Sequence, residues 1–249
     1  MTQIRDASIL IIGASGGLGR ELARLLNDQG AVVSCSARTT ASLVSAGVPG
    51  THLAADLTDP AAVTELITSA VAVTGHLDGI IYAAGVVAFG PALEVTDATL
   101  TELFVVNTLG PIRVLREARE ALAQSAAAGR EPFFLTLSGV VSESPTANMA
   151  AYSASKSGLN AFDQAAAREL RRVGIRVLDA RPGHTETALS LHPIAGTAPR
   201  LPTGLPPAAV AERLVQAIEN GDKDLPSTAF ASLNAASVAA PSVPAFPAG

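Results

Sequence analysis

The chain has 249 residues and a formal net charge of −5, from 22 acidic and 17 basic side chains with no basic cluster, which argues against a nucleic-acid partner. Hydrophobic residues make up 48%, but aromatics only 4% and tryptophan is absent, so Val, Leu, Ile and Ala must build the core. Mean hydropathy is +0.35, yet charged residues break the apolar runs well short of the ~18 residues that span a bilayer, and no membrane association is expected.

No secretory leader is expected either, because Arg5 and Asp6 precede a short apolar run that ends in glycines. The single cysteine, Cys35, has no internal disulfide partner and falls in an apolar strand, the place of a buried thiol. The expectation is a cytoplasmic protein with one domain over residues 1–233.

Ile9-Leu10-Ile11-Ile12 is a continuous apolar run, as in a strand buried on both faces of a parallel sheet. Gly13-Ala14-Ser15-Gly16-Gly17-Leu18-Gly19 follows, then a helical pattern through Leu22, Leu25 and Leu26. Strand, glycine turn and helix form the context in which a backbone approaches a pyrophosphate at a helix N-terminus. The spacing is G-x-x-x-G-x-G, not the commoner G-x-G-x-x-G. Val32 to Ser36 reads as the second strand, and it runs into Ala37-Arg38 where an NAD site would carry a carboxylate. A guanidinium there suits a 2′-phosphate through forked, charge-assisted hydrogen bonds, so NADP is the expected cofactor and NAD the alternative.

His52 to Ala55 is a short third strand, with Asp56 and Leu57 just past its end. Asp59-Pro60 is a helix start, an N-cap followed by proline at the first helical position. The fourth strand, Gly79 to Ala84, ends in Gly85 and leaves small residues where a ligand would cross the sheet. Asn107 interrupts an apolar helical stretch and Gly110-Pro111 follows, so a kink or a buried polar contact is expected there. Phe133 to Ser138 and Arg176 to Ala180 are the fifth and sixth strands, and 225–230 offers a possible last one. Residues 188–207, rich in proline, read as a lid loop, and the uncharged Ala/Pro/Ser-rich tail 234–249 as disorder. Strands alternating with helices give an α/β class: a single-domain, doubly wound parallel sheet of Rossmann type.

Tyr152 and Lys156 open a helix whose apolar face continues through Leu159, Phe162, Ala166 and Leu170. Four apart, they share one face. A phenol has a pKa near ~10, and a fixed ammonium beside it is expected to lower that value toward acid/base range. The four histidines show no metal-ligand spacing and no metal is expected.

In order and spacing the chain resembles the short-chain dehydrogenase/reductase family from about residue 7 to 218. The matching features are Gly13, Gly17 and Gly19, Asp56, Ala84-Gly85, Asn107, Tyr152 with Lys156, and Pro182-Gly183 with Thr187. The resemblance implies hydride transfer between NADPH and a carbonyl compound, with Tyr152 as the general acid. Lys156 would hold the nicotinamide ribose, Asn107 a relay water, and Asp56 with Leu57 the adenine. Ser15, Leu18, Ala83, Ala84 and Gly85 would line the cofactor, Pro182, Gly183 and Thr185 its nicotinamide end, and Thr187 would begin the lid. Homodimers or homotetramers built on the helices containing Leu115 and Tyr152 are common in that family.

Three departures stand out. The family's catalytic serine position, thirteen before the tyrosine, is Gly139, with Ser138 and Ser142 as the nearby hydroxyls and Ser138 as the tentative substitute. The family's Asn-Asn-Ala-Gly is Tyr82-Ala83-Ala84-Gly85, and the usual glycine-rich C-terminal ending is absent. The alternative that Gly139 raises is an NADP-binding regulator with little or no turnover.

Overall fold

The computed structural model describes residues 2–233, so the expected disordered tail lies outside the described residues. Seven strands form one parallel sheet: β1 (Ser8–Ile12), β2 (Val32–Ala37), β3 (Thr51–Ala54), β4 (Gly79–Tyr82), β5 (Phe133–Leu137), β6 (Arg176–Ala180) and β7 (Asp224–Leu225). Their order is β3-β2-β1-β4-β5-β6-β7. The helices are α1 (Gly17–Asp28), α2 (Thr40–Ser45), α3 (Pro60–Thr74), α4 (Asp97–Phe104), α5 (Gly110–Ala127), α6 (Ala150–Leu170) and α7 (Pro207–Asn220).

Successive strand side chains point to opposite faces, and the two cores divide accordingly. Ile9 and Ile11 of β1 join Leu22 and Leu26 of α1 and Leu214 and Ile218 of α7. Leu10 and Ile12 join Val63 and Leu66 of α3 and Val114 and Leu122 of α5. This is why β1 is apolar without a break from Ile9 to Ile12.

Local chemistry accounts for the ends. Asp59 Oδ1 accepts a hydrogen bond from Ala61 N at 2.9 Å with Pro60 at the start of α3, as expected. Residues 40–45, which show no periodic pattern in the sequence, form the short α2, and Thr39 caps it by accepting from Ser42 N. The run 225–230 is not a full strand. After Leu225 the chain turns through Pro226 into a 3-10 helix, Ser227–Phe230, that buries Phe230.

The kink expected at Asn107 is a π-helical turn, Val105–Leu109, between α4 and α5. Such turns leave carbonyls short of partners. Here the fully buried Tyr82 answers one of them, its hydroxyl donating to Val106 O at 2.8 Å. Gly110 makes room, since a Cβ there would lie 2.3 Å from the Tyr82 hydroxyl. We expect Tyr82→Phe to cost about 1–3 kcal/mol by stranding a buried carbonyl, measurable as a lower urea midpoint at unchanged m-value.

Candidate active site

The strand order reverses between β1 and β4, and ligands bind such sheets in the crevice beyond the carboxyl ends at that point. Gly13, with φ +82, turns the chain away from β1, and its N–H and that of Ala14 donate to Ser36 O of β2 at 2.9 and 3.0 Å. A Cβ on Gly13 would meet Ala84 N at 2.5 Å, so the turns after β1 and β4 touch backbone to backbone. A Cβ on Gly19 would lie 2.3 Å from Gly13 O, and one on Gly17 would lie 2.9 Å from Thr187 Cγ2. The residue expected to begin the lid therefore lies on the glycine turn. No side chain caps α1 and no carboxylate sits in its first turn, which leaves its N-terminal N–H groups suited to an anion. Ser15 and Leu18 are half-buried beside this turn.

Arg38 is exposed at the end of β2. Asp56, also exposed, accepts from Thr58 N at 2.9 Å and Thr58 Oγ1 at 2.8 Å. Those bonds, and more weakly the Arg38 guanidinium, hold its carboxyl below the usual range. Leu57 is half-buried and packs on the α3 side of the sheet.

Asn107, Lys156 and Gly85 converge. A Cβ on Gly85 would lie 3.3 Å from Asn107 Oδ1 and 3.5 Å from Lys156 Nζ. Asn107 is fully buried; Oδ1 accepts from Val86 N at 3.0 Å, and Nδ2 donates to Val86 O at 2.9 Å and Ser155 Oγ at 3.1 Å. It clamps the loop after β4 to α6. Lys156 Nζ donates to Leu137 O at 2.7 Å, and burial lowers its ammonium to about 8 against the pull of Asp179 and Asp163.

Tyr152 lies one turn from Lys156, and its ring belongs to a third apolar cluster with Val87, Phe89 and Leu103. The expected lowering of its pKa is not found. Burial instead pushes the phenol up to about 12. The loop expected as a lid packs on this cluster: Ile194 N donates to Val87 O and Phe89 N to Ala195 O, each at 2.9 Å, while Ile194, Ala195 and Ala198 lie against the same residues. A cleft of about 260 Å³ opens beside it, lined by Phe89, Val95, Thr99, Met149, Ala151 and Ala195. A larger, shallow depression of about 580 Å³ lies near the start of β1 and the end of α7 and contains none of these residues.

The expectation that Ser138 replaces the missing serine is not met. Its hydroxyl is fully buried and donates to Asp179 Oδ2 at 2.6 Å, because the strand alternation turns it into the sheet. Ser142 Oγ donates to Gly139 O at 2.8 Å. Gly139 itself has φ +74 and ψ 165, a region that is essentially glycine's alone. At the end of β6, Pro182 O accepts from Val140 N at 3.0 Å, and Thr185 Oγ1 donates to Gly183 O at 3.1 Å. Asp163 and Asp179 carry no motif that marks them in the sequence. The available signal was a carboxylate on the apolar face of α6 seven residues after Lys156, and another inside an apolar strand.

The short chain dehydrogenase family model matches residues 7–192. Versicolorin reductase stcU of Emericella nidulans is 32% identical over 190 residues, covering 73% of this chain and 70% of that protein. The 3-oxoacyl-[acyl-carrier-protein] reductase FabG of Escherichia coli is 29% identical over 203 residues, covering 78% and 82%. Among solved structures, a metagenomic short-chain oxidoreductase in complex with NADP is 28% identical with a TM-score of 0.73, covering 90% of this chain and 97% of that one. A short chain dehydrogenase from Burkholderia cenocepacia in complex with NADP shares the fold, with a TM-score of 0.80 at 23% identity over 96% of this chain and 95% of that one. No described helix is long and apolar enough to cross a membrane. Sequence match and sheet order agree that this chain belongs to the short-chain dehydrogenase family and is an NAD(P)-dependent oxidoreductase.

Proposed function

We propose that this chain is an NADPH-dependent reductase of a small, hydrophobic carbonyl compound, or the corresponding alcohol dehydrogenase in reverse. The observation that carries this reading is the convergence of Lys156, Asn107 and Gly85 one helical turn from Tyr152, beside an apolar cleft. The dinucleotide fits the chain: the start of α1 carries no side-chain cap, and a Cβ at Gly13 or Gly19 would collide with backbone. Gly13, Ser15, Gly17, Leu18 and Gly19 would hold its pyrophosphate, Asp56 and Leu57 the adenine side, Ala83 to Gly85 its middle, and Pro182, Gly183, Thr185 and Thr187 the nicotinamide end. When bound, it supplies the hydride that the carbonyl carbon accepts.

Tyr152 then gives its proton to the carbonyl oxygen, a direction suited to a phenol that burial keeps protonated at neutral pH. Lys156 would hold the ribose and would place a positive charge behind the phenolate that forms. The apolar residues around Tyr152 exclude water and strengthen these interactions.

The preference for NADPH rests on Arg38. Arg38→Ala should weaken NADPH binding about 10- to 100-fold, the loss of a charge-assisted pair, and leave NADH nearly unchanged. Fluorescence titration with both cofactors measures this, and an equal loss for the two would remove the NADP assignment. The same titration, followed by absorbance decay with a carbonyl panel, separates the reductase from an NADP-binding regulator. The regulator reading, motivated by Gly139, requires binding without hydride transfer.

A further inference from the structure

Beneath Lys156 lies a buried polar cluster that the proposed chemistry does not use. Asp179 of β6 is almost fully paired: Oδ2 accepts from Ser138 Oγ at 2.6 Å, Asn160 Nδ2 at 2.7 Å and Arg181 Nη1 at 2.9 Å, and Oδ1 from Ser138 N at 3.1 Å. Arg181 also pairs with Glu143 and Asp224. Asp163 of α6, only 2% exposed, differs. Its Oδ2 lies 2.6 Å from Thr136 Oγ1, and its Oδ1 is buried with no hydrogen-bond partner. Thr136 Oγ1 is also 3.3 Å from Asp179 Oδ1.

One hydroxyl carries one proton and cannot donate to two carboxylates at once. Two ionised carboxylates facing each other across it, one with an orphaned oxygen, would be costly in a dry interior. If Asp163 is a carboxylic acid that donates from Oδ2 to Thr136 Oγ1, which then donates to Asp179 Oδ1, each proton has an acceptor and the orphaned Oδ1 is a neutral carbonyl instead of a charged oxygen. Asp179 keeps the charge because Arg181, Asn160 and Ser138 already point at it.

We propose that Asp163 is a neutral carboxylic acid at neutral pH, a positioning residue that keeps negative charge away from the Tyr152–Lys156 pair and ionises only at alkaline pH as a unit coupled to Lys156. The groups facing it are Thr136 and Asp179 from the sheet and Lys156 on its own helix. Burial pushes its carboxyl up to about 8, the same range to which Lys156 falls. A second negative charge behind Lys156 would favour the ammonium but oppose the phenolate beside it.

The proposal depends on the reductase reading only in its rate measurement. Asp163→Asn mimics the protonated acid. The folded wild type keeps a proton on Asp163 that the unfolded chain has lost, so its stability falls as pH rises from about 4 to about 8. The variant lacks this term, and its Tm relative to wild type should climb by roughly 3 °C per pH unit between about pH 5 and 8. In parallel, kcat near pH 6.5 should stay within about twofold, while the alkaline limb of the rate profile moves down by on the order of one pH unit. Parallel Tm profiles for the two proteins would overturn the proposal. Should the variant fail to fold, the wild type decides alone: a protonated-carboxyl infrared band present near pH 6 and lost near pH 9.5 supports the proposal, and its absence at pH 6 overturns it. A wild type without turnover would sink the reductase reading, while the Tm and infrared measurements still judge Asp163.

Discussion

Tyr152→Phe is expected to lower kcat by about 10²- to 10⁴-fold and to leave the affinity for NADPH unchanged, the range expected when a positioned general acid is removed. The substitution removes one oxygen, and that oxygen makes no hydrogen bond to any described residue, so packing with Val87, Phe89 and Leu103 should survive and Tm should hold. This separates a chemical role from a structural one. Stopped-flow hydride transfer with NADPH in excess measures it, and an undiminished rate would take the acid role away from Tyr152. Because the phenol is protonated up to about 12, the wild-type reduction should show no loss of this acid across neutral pH. Gly139 sharpens the interpretation. With no serine hydroxyl at that place and Ser138 committed to Asp179, the proposed mechanism would leave Tyr152 as the donor to the developing oxyanion from this part of the site.

Gly19→Ala should cost the protein both stability and cofactor. The added Cβ would lie 2.3 Å from Gly13 O and 2.9 Å from Ala14 Cα, and both are backbone atoms of a turn that also touches Ala84. Neither can move by a rotamer change, so α1 must shift away from the turn. Overpacking of this kind costs about 1–3 kcal/mol, and more where the neighbour is backbone. The same shift pulls the helix N-terminus from the place where the pyrophosphate is proposed to sit, so NADPH affinity should drop at least about tenfold. Thermal denaturation with and without NADPH reads both effects. A variant that melts and binds like the wild type would refute the close approach of α1 to the turn.

Local pattern alone carried much of the architecture. The unbroken apolar runs at Ile9 to Ile12 and Phe133 to Leu137, the glycines after β1, and Asp59-Pro60 each have a short-range cause: burial on both sheet faces, a turn with φ above zero, a helix cap. So does the pairing of Tyr152 with Lys156 on one helical face. Short elements escaped, because a six-residue helix such as α2 has too few turns for a periodic signal and rests on one threonine cap.

What only the tertiary structure decided is how groups far apart in the chain share protons, space and charge. Whether Tyr152 has a lowered or raised pKa depends on its burial in a cluster drawn from Val87, Phe89, Leu103 and the distant residues Ile194, Ala195 and Ala198. Whether Ser138 could stand in for Gly139 depends on Asp179, forty-one residues away, which takes its proton. Tyr82 looked like the loss of an asparagine; in the fold it pairs a carbonyl freed by the π-helical turn. Asp163 is one more polar residue in the sequence of α6. Only the packing of that helix on β5 and β6 strips water from its carboxyl and leaves it one hydroxyl to share, and burial of a charge is a property of the assembled fold, not of any stretch of chain.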